Sequence, residues 1–204
     1  SGIAENDHCK IEIIDTLSAY GEIYIHKAKI TEGSISVGNN LSLTVDGIRR
    51  ERIRRNHTAT HLIHAALREI VGLHVRQSGS LVHPDYLRFD FTNMHALDNK
   101  TLQIVEDKVN DVIRNNLPVE VSYTTYDKAI KDGALAFFGE KYDHKVRTIK
   151  IDAPWSYELC GGTHMAHTGG IGLFKIISEN GIGSGNRRIF ALTGIGTEKM
   201  VRNN

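Results

Sequence analysis

The sequence predicts an α+β fold in which helices pack on a mainly antiparallel sheet. Three observations support this fold class. Short apolar segments separated by turn signals fill residues 1–48, two longer stretches with helical spacing follow at 49–71 and 98–117, and short strand patterns surround the second of them. Because the hydrophobic period changes near residue 48, we expect two domains, 1–48 and 49–204.

The first domain has the pattern of short β-strands. Its apolar segments lie at 11–14, 21–28, 35–37 and 41–45, and the last two flank the turn signal at 38–40. Three or four short strands in this length predict a small barrel or a sandwich. Such a unit is marginally stable alone, because few strands bury little apolar surface and leave open edges.

The second domain contains the two regular helices. Gly72 is the expected C-cap of the helix at 49–71, and Pro118 is expected to end the helix at 98–117. The remaining predicted elements are extended chain at 74–92 broken at His83-Pro84, a strand at 119–123, a short helix at 126–132, a strand at 146–151, and a hairpin of 171–178 and 188–193 joined by the glycine-rich 180–186.

Composition excludes several classes of protein. The 204 residues include 25 Lys and Arg against 24 Asp and Glu, so the net charge gives no indication of nucleic-acid binding. No apolar run is long enough to span a membrane and the first residues lack a signal peptide, so we expect a cytoplasmic protein with no membrane partner. The missing initiator Met leads us to expect a piece of a longer chain.

Two cysteines do not make a disulfide scaffold, whereas eleven histidines are an excess that needs an explanation.

Four side chains with metal-binding chemistry occur as two pairs. His57 and His61 lie four residues apart on the first predicted helix, so both imidazoles lie on one helical face. Zinc peptidases share this spacing but carry a Glu after the first His, and Thr58 at that position excludes their chemistry. Cys160 and His164 form the second pair, with two glycines between them that suit a tight loop.

Together the two pairs indicate a zinc site. A lone H-x-x-x-H is more often a surface pair, and a lone buried Cys is usually inert, but their joint occurrence favours a metal. Four protein ligands are typical of structural zinc, whereas catalytic zinc keeps an open position; we therefore expect one weak ligand or a fifth ligand from the substrate. For His64, seven residues after His57, we expect a partly exposed side chain, with support of the site as the alternative.

The same residues resemble a known family. H-x-x-x-H followed by C-x-x-x-H is similar to the editing domain shared by alanyl-tRNA synthetases, free-standing alanyl editing proteins and, more distantly, threonyl-tRNA synthetases. The sequence Gly-Gly-Thr that follows Cys160 favours the alanyl group. The resembling segments are RNHTATHL at 55–62, QSGSLV at 77–82, LRFDF at 87–91, AFFGEKY at 136–142, ELCGGTH at 158–164, and the stretches 168–176 and 185–194.

The resemblance implies an editing core at 49–204, preceded at 1–48 by most of a small β-barrel similar to the second domain of translation elongation factors. It also implies that the chain is a fragment of a synthetase. The aminoacylation domain, which uses ATP and Mg²⁺, would precede it, and a helical linker and a C-terminal domain would follow it. The open alternatives are a free-standing editing deacylase and a zinc-stapled RNA-binding module without activity.

The implied activity is hydrolysis of tRNA(Ala) mischarged with serine or glycine at a Zn²⁺ site formed by the four residues. The metal would activate water, polarise the ester carbonyl or only position the substrate. Such a site must reject alanine, so polar groups should bind the serine hydroxyl. Gln77, Ser80 and Thr58 are the expected pocket residues, with Ser78 and Thr60 beside them; an ordinary turn is the alternative at 78–80.

The expected contacts to tRNA rest on clustered arginines. Arg54 and Arg55 belong to an arginine-rich stretch at 49–55, and Arg187 and Arg188 follow the glycine-rich loop. Clustered arginines can bind phosphates even when the net charge is near zero. A solvated helix end tied by ion pairs is an equally strong interpretation of the 49–55 stretch.

Overall fold

The structure is a computed structural model that describes residues 1–19, 23–137 and 142–203. It separates into two compact units, Ser1–Glu51 and Arg52–Asn204. The expected α+β class is confirmed, since helices accompany antiparallel sheets. Parts of two predicted features, the strand at 21–28 and the AFFGEKY segment at 136–142, lie outside the described residues. None of the described helices is both long enough and apolar enough to span a membrane.

The first unit is an open antiparallel sheet with the strand order β3-β2-β1-β4. A small apolar cluster stabilises it, formed by Ala4, Cys9, Ile11 and Ile13. Among its described residues the sheet does not close into a barrel, because β3 and β4 lie at opposite edges. Its strands are β1 (Gly2–Asn6), β2 (Cys9–Ala19), β3 (Ile23–Gly33) and β4 (Ser42–Val45).

The strand expected at 35–37 is wrong. The amide of Ser36 donates to the side-chain oxygen of Asn39 at 2.8 Å, and the amide of Asn39 donates back to the carbonyl of Ser36 at 3.1 Å. These two hydrogen bonds close a turn, because an Asn side chain competes with sheet pairing for backbone partners.

The second unit combines helices with two antiparallel sheets of strand order β10-β11-β6-β5 and β7-β8-β9. The helices expected at 49–71, 98–117 and 126–132 are present. The elements that follow β4 in the chain are α1 (Gly47–Ile70), β5 (Gln77–Val82), β6 (Leu87–Thr92), α2 (Asn99–Arg114), β7 (Glu120–Thr125), α3 (Tyr126–Lys131), β8 (Lys145–Ile151), β9 (Ser156–Leu159), β10 (Phe174–Gly183), β11 (Asn186–Thr193) and α4 (Ile195–Arg202).

One apolar core joins α1 and α2 to strands of both sheets. The apolar side of α1 contributes side chains that are fully buried, and aromatic residues of β6 meet them. This packing places α1 firmly, so its other side can present polar groups to a site. Core residues include Ala59, Leu62, Ile63, Ala66, Leu67, Phe89, Phe91, Val105, Val109, Ile149, Ile151, Ile171, Phe174, Ile189 and Ala191.

Local sequence features mark the start and end of α2 and the turn of the last hairpin. Asp98 caps α2 by accepting a hydrogen bond from the amide of Thr101 at 2.7 Å. The helix ends at Arg114, earlier than expected, and Asn116 follows with a φ of 50°. The last hairpin is also longer than expected, because β10 and β11 continue into the glycine-rich stretch and Gly185, with a φ of 71°, permits a tight turn.

Candidate metal centre

The structure brings the two histidine and cysteine pairs together. His57 and His61 lie on α1, whereas Cys160 and His164 lie on the loop that follows β9. One donor atom from each residue lies within 4.8 Å of the others. The Sγ atom of Cys160 is 3.4 Å from the Nε2 atoms of both His57 and His164. The four side chains therefore converge on one point with three imidazole nitrogens and one sulfur.

A glycine allows this convergence. A Cβ atom added at Gly162 would clash with the imidazole ring of His57, whereas one added at Gly161 would meet nothing within 4 Å. The loop can therefore approach α1 closely only because position 162 lacks a side chain. The two glycines between Cys160 and His164 have different roles, although the sequence does not distinguish them.

Two arginines hold the loop by its backbone. The Nη1 atom of Arg147, on β8, donates to the carbonyl of Cys160 at 2.7 Å and to that of Gly162 at 2.6 Å. The Nε atom of Arg54 donates to the carbonyl of His164 at 2.6 Å. Hydrogen bonds from charged donors are stronger than neutral ones, so these contacts hold the loop that carries two of the four donors.

Thr58 supports the same loop from α1. Its hydroxyl donates to the carbonyl of Arg54 at 2.9 Å, accepts from the amide of Met165 at 3.0 Å and lies 3.4 Å from Nδ1 of His164. The residue is fully buried. Thr60 is also buried, and its hydroxyl donates to the carbonyl of Asn56. Both hydroxyls are thus engaged within the protein.

A buried carboxylate links two histidines of α1. Glu158, on β9, is 1% exposed. Its Oε2 atom lies 2.7 Å from Nδ1 of His61, and its Oε1 atom lies 2.8 Å from Nδ1 of His64. His64 is buried at 3% exposure, so the expectation of a partly exposed side chain is wrong. The Glu158 contact and the ring of Phe89 explain why His64 is buried.

The electrostatics favour a deprotonated sulfur. Burial would raise the pKa of the Cys160 thiol, but the imidazoles of His164, His57 and His61 around the sulfur lower that pKa to about 3. Burial lowers the pKa of His164 to about 4, and neighbouring His61 and His57 contribute. Both groups are therefore available at neutral pH in the form that binds cations.

His61 shows the opposite shift. Burial would lower its pKa, but the carboxylate of Glu158 and the sulfur of Cys160 raise that pKa to about 10. In turn the two histidines hold the pKa of Glu158 well below its usual range, against the effect of burial. A cation that binds at His61 has to displace the proton of its Nε2 atom, so cation binding is expected to weaken as the pH falls.

The residues fit a zinc ion. The Nε2 atom of His61 is buried and has no hydrogen-bond partner in the part of the chain that the structure describes. A buried polar atom without a partner is rare and costly, and a cation at the point of convergence would satisfy it. Imidazole nitrogens with one thiolate are a donor set that suits Zn²⁺.

Comparisons with known proteins indicate the family of the chain. The model of the threonyl and alanyl tRNA synthetase second additional domain matches residues 146–190. The chain is 46% identical to the alanine–tRNA ligase of Rickettsia felis over 201 residues, which are 98% of this chain and 23% of that protein. It is 51% identical to that of Thermotoga maritima over 181 residues, 89% of this chain and 21% of the relative. A third, from Carboxydothermus hydrogenoformans, is 48% identical over 196 residues, 96% of this chain and 22% of the relative.

This chain belongs to the alanyl-tRNA synthetase family. It spans less than a quarter of the length of the curated relatives it matches. The matched residues 146–190 of the family model include Cys160 and His164, the half of the candidate centre that lies on the loop.

Of the three polar pocket residues that the alanyl-tRNA synthetase resemblance implies, Thr58 lies on α1, with its hydroxyl 3.4 Å from Nδ1 of His164. Gln77 and Ser80 lie on β5, and Nε2 of Gln77 donates to Oγ of Ser80 at 3.1 Å. Gln77 also lines a cavity of about 480 Å³. His64 lines the same cavity and contacts Glu158, which in turn contacts the donor His61.

The four arginines expected to contact tRNA all have partners within the protein. Arg54 donates to the loop as described, and Nε of Arg55 donates to the carbonyl of Gly170 at 3.0 Å. Arg187 forms a two-pronged ion pair with Glu179, and Arg188 forms one with Asp90 at 2.7 and 2.8 Å. The alternative interpretation, ion pairs, concerned only the 49–55 stretch, in which Arg54 and Arg55 donate to backbone carbonyls. Binding of tRNA by the four arginines stays a prediction.

Three residues that shape the candidate centre of this chain are not identified by the sequence analysis. Glu158 and Arg147 were not assigned a role, and Gly162 was not separated from its neighbour. Glu158 carried a usable signal, because it is the one charged residue in the stretch WSYELC at 155–160. Arg147 gave no signal, since its contacts depend on the pairing of β8 with β9.

Proposed function

We propose that this chain is an editing module that hydrolyses the ester of tRNA(Ala) mischarged with serine or glycine. The convergence of His57, His61, Cys160 and His164 carries this proposal. The relatives' name, alanine–tRNA ligase, supports tRNA(Ala) as the partner and the remaining parts of a synthetase as neighbours. The cytoplasm is the proposed location, and ATP and Mg²⁺ would serve only an aminoacylation domain outside this chain.

The physical need for such a module follows from the size of alanine. An aminoacylation pocket for alanine cannot exclude the smaller glycine, and it cannot strongly reject serine, which adds only a hydroxyl. Discrimination by one small group is worth a few kcal/mol, which is too little for accurate translation. A second site that hydrolyses the wrong ester supplies the missing accuracy.

The residues of the chain divide the work as follows. His57, His61, Cys160 and His164 would hold Zn²⁺, which supplies a Lewis acid and lowers the pKa of water when bound. Arg147, Arg54 and Thr58 hold the loop half of the centre against α1. We propose that Gln77 and Ser80, at the cavity wall and beside it, contribute the polar groups that distinguish serine from alanine.

Deacylation assays test this function. Seryl-tRNA(Ala) should be hydrolysed by the chain and alanyl-tRNA(Ala) should not, and chelation of zinc should abolish the turnover. Cys160→Ala should reduce turnover by about 100-fold or more, because several kcal/mol of transition-state stabilisation depend on the metal.

The second cysteine provides the control. Cys9 is buried in the first unit, so Cys9→Ala removes a sulfur without touching the candidate centre and should retain turnover. Undiminished hydrolysis by Cys160→Ala would refute the metal's role. Zinc binding without any seryl-tRNA hydrolysis would favour the RNA-binding module. Full hydrolysis without the rest of a synthetase is also what a free-standing deacylase would show, so rates with and without those domains separate the two.

A further inference from the structure

The side chain of Glu158 has an unusual set of contacts for a buried carboxylate. Each of its oxygens lies within hydrogen-bond distance of an imidazole Nδ1 atom, one from His61 and one from His64. An ionised carboxylate can only accept hydrogen bonds, so both Nδ1 atoms must be the donors. The carboxylate thereby keeps a proton on the Nδ1 atom of each ring.

We propose that Glu158 is a positioning residue for the metal ligand His61, and that His64 holds Glu158 in place. This inference rests on the proposed metal centre. Because Nδ1 of His61 donates to Glu158, its Nε2 atom is left for the point where the four donors converge, and this atom is buried and without a partner among the described residues. A carboxylate behind a ligating histidine orients the ring and makes the nitrogen a stronger donor.

His64 completes the arrangement because it occupies the second oxygen. It follows His61 by one helical turn on α1, so both rings reach the same carboxylate. With both oxygens engaged, the carboxyl group of Glu158 cannot rotate away from His61. The ring of His64 is itself packed against Phe89, with ring centroids 5.4 Å apart, which anchors it in the core.

Charge supplies a second reason for a carboxylate here. Zn²⁺ with the thiolate of Cys160 would leave one net positive charge in a site whose histidines contribute none. Glu158 lies directly behind His61 and is 1% exposed, so its negative charge balances the centre where water cannot. An amide of the same shape would provide neither the charge nor the second acceptor.

The test is the zinc affinity of the full chain carrying Glu158→Gln, measured by competition with a chelator. Glutamine offers one oxygen and one NH₂ group, so either His61 or His64 loses its acceptor. We expect zinc to bind about 10- to 100-fold more weakly, the usual effect of losing such a partner. With Co²⁺ in place of zinc, the visible absorption bands should shift, and Glu158→Asp should restore part of the affinity.

A matched control is Glu106→Gln. Glu106, on α2, is also a buried carboxylate of the second unit, but it binds the side chain of Lys175 and the amide of Ile176, both on β10. This variant should lose thermal stability and keep the zinc affinity and the Co²⁺ spectrum of the wild type.

The outcomes separate this inference from the proposed function. Wild-type zinc affinity and an unchanged Co²⁺ spectrum in Glu158→Gln would overturn the inference, even if Cys160→Ala still abolishes deacylation. A wild-type chain that binds no zinc would overturn both. If Glu158→Gln does not fold, His64→Phe replaces it: this variant removes only the anchor, and it should weaken zinc binding several-fold, whereas unchanged affinity would contradict the inference.

Discussion

The two halves of the candidate centre are built in different ways. The half on α1 has a backbone that needs no contact from the loop, because the helical period places His57 and His61 on one face and the apolar core holds the helix. The half on the loop after β9 has no regular backbone to place Cys160 and His164. The comparison shows that a regular element positions the backbone of its ligands by its own geometry, whereas the backbone of a loop needs contacts from outside.

Those outside contacts are directed at the backbone of the loop. Arg147 and Arg54 bind three of its carbonyl groups, and Thr58 binds the amide of Met165. Gly162 removes the one side chain that would keep the loop away from His57. Substitutions at these positions should therefore damage the loop half of the centre and leave α1 intact.

The largest effect is expected from Gly162→Ala. The added methyl group would clash with His57, so either the ring or the loop must move and one donor is lost. We expect zinc affinity and deacylation to fall by about 100-fold or more, as for a lost ligand. Zinc content after dialysis and seryl-tRNA(Ala) hydrolysis measure this.

Gly161→Ala is the control for that variant, since its Cβ atom would meet nothing within 4 Å. It should retain zinc and activity. Equal losses in both alanine variants would show that the loop needs flexibility at either glycine, rather than space beside His57.

A smaller effect is expected from Arg147→Met, which keeps much of the side-chain length and removes both hydrogen bonds to the loop. Zinc affinity should fall by about 10- to 100-fold, the range for partners that orient ligands. Arg114→Met is the control, because Arg114 is exposed and, among the described residues, pairs with the nearby Asp111 alone. Chelator competition on both variants checks this, and equal zinc affinity in the two would contradict a supporting role for Arg147.

The smallest effect is expected from Thr58→Val. This change removes the hydroxyl that the amide of Met165 donates to, and it leaves that amide without its partner. We expect a loss of about 1–3 kcal/mol of unfolding free energy and a several-fold loss of zinc affinity. Thr60→Val should affect stability alone, because the hydrogen bond that its hydroxyl makes in the described part of the chain lies within α1. Urea unfolding with zinc titration measures both, and equal zinc affinity in the two variants would argue against Thr58 as a support.

The sequence predicts the parts of the molecule that depend on local periodicity. Both long helices and the convergence of His57 and His61 follow from helical spacing, and the apolar face of α1 is the face that packs in the core. The pairing with Cys160 and His164 was inferred from residue chemistry and from the family resemblance. Neither source gives the distances, which depend on how β8 and β9 pair.

What the sequence does not predict depends on contacts between distant segments. His64 looks like a surface histidine by spacing, and only the position of Glu158 on a neighbouring strand makes it a buried partner. The barrel expected at 1–48 is not confirmed, because the described strands form an open sheet. Four local strand patterns do not specify which strands pair at the edges.

The distance along the chain between the two halves has a thermodynamic consequence. Residues His57 and Cys160 are separated by 103 positions, so an ion held by both would act as a cross-link that closes a very long loop. By the chain-entropy model for cross-links, such a closure would lower the conformational entropy of the unfolded chain, which corresponds to about 4–5 kcal/mol of free energy. The metal centre would thus stabilise the folded second unit, and zinc binding would raise its melting temperature before any tRNA is added.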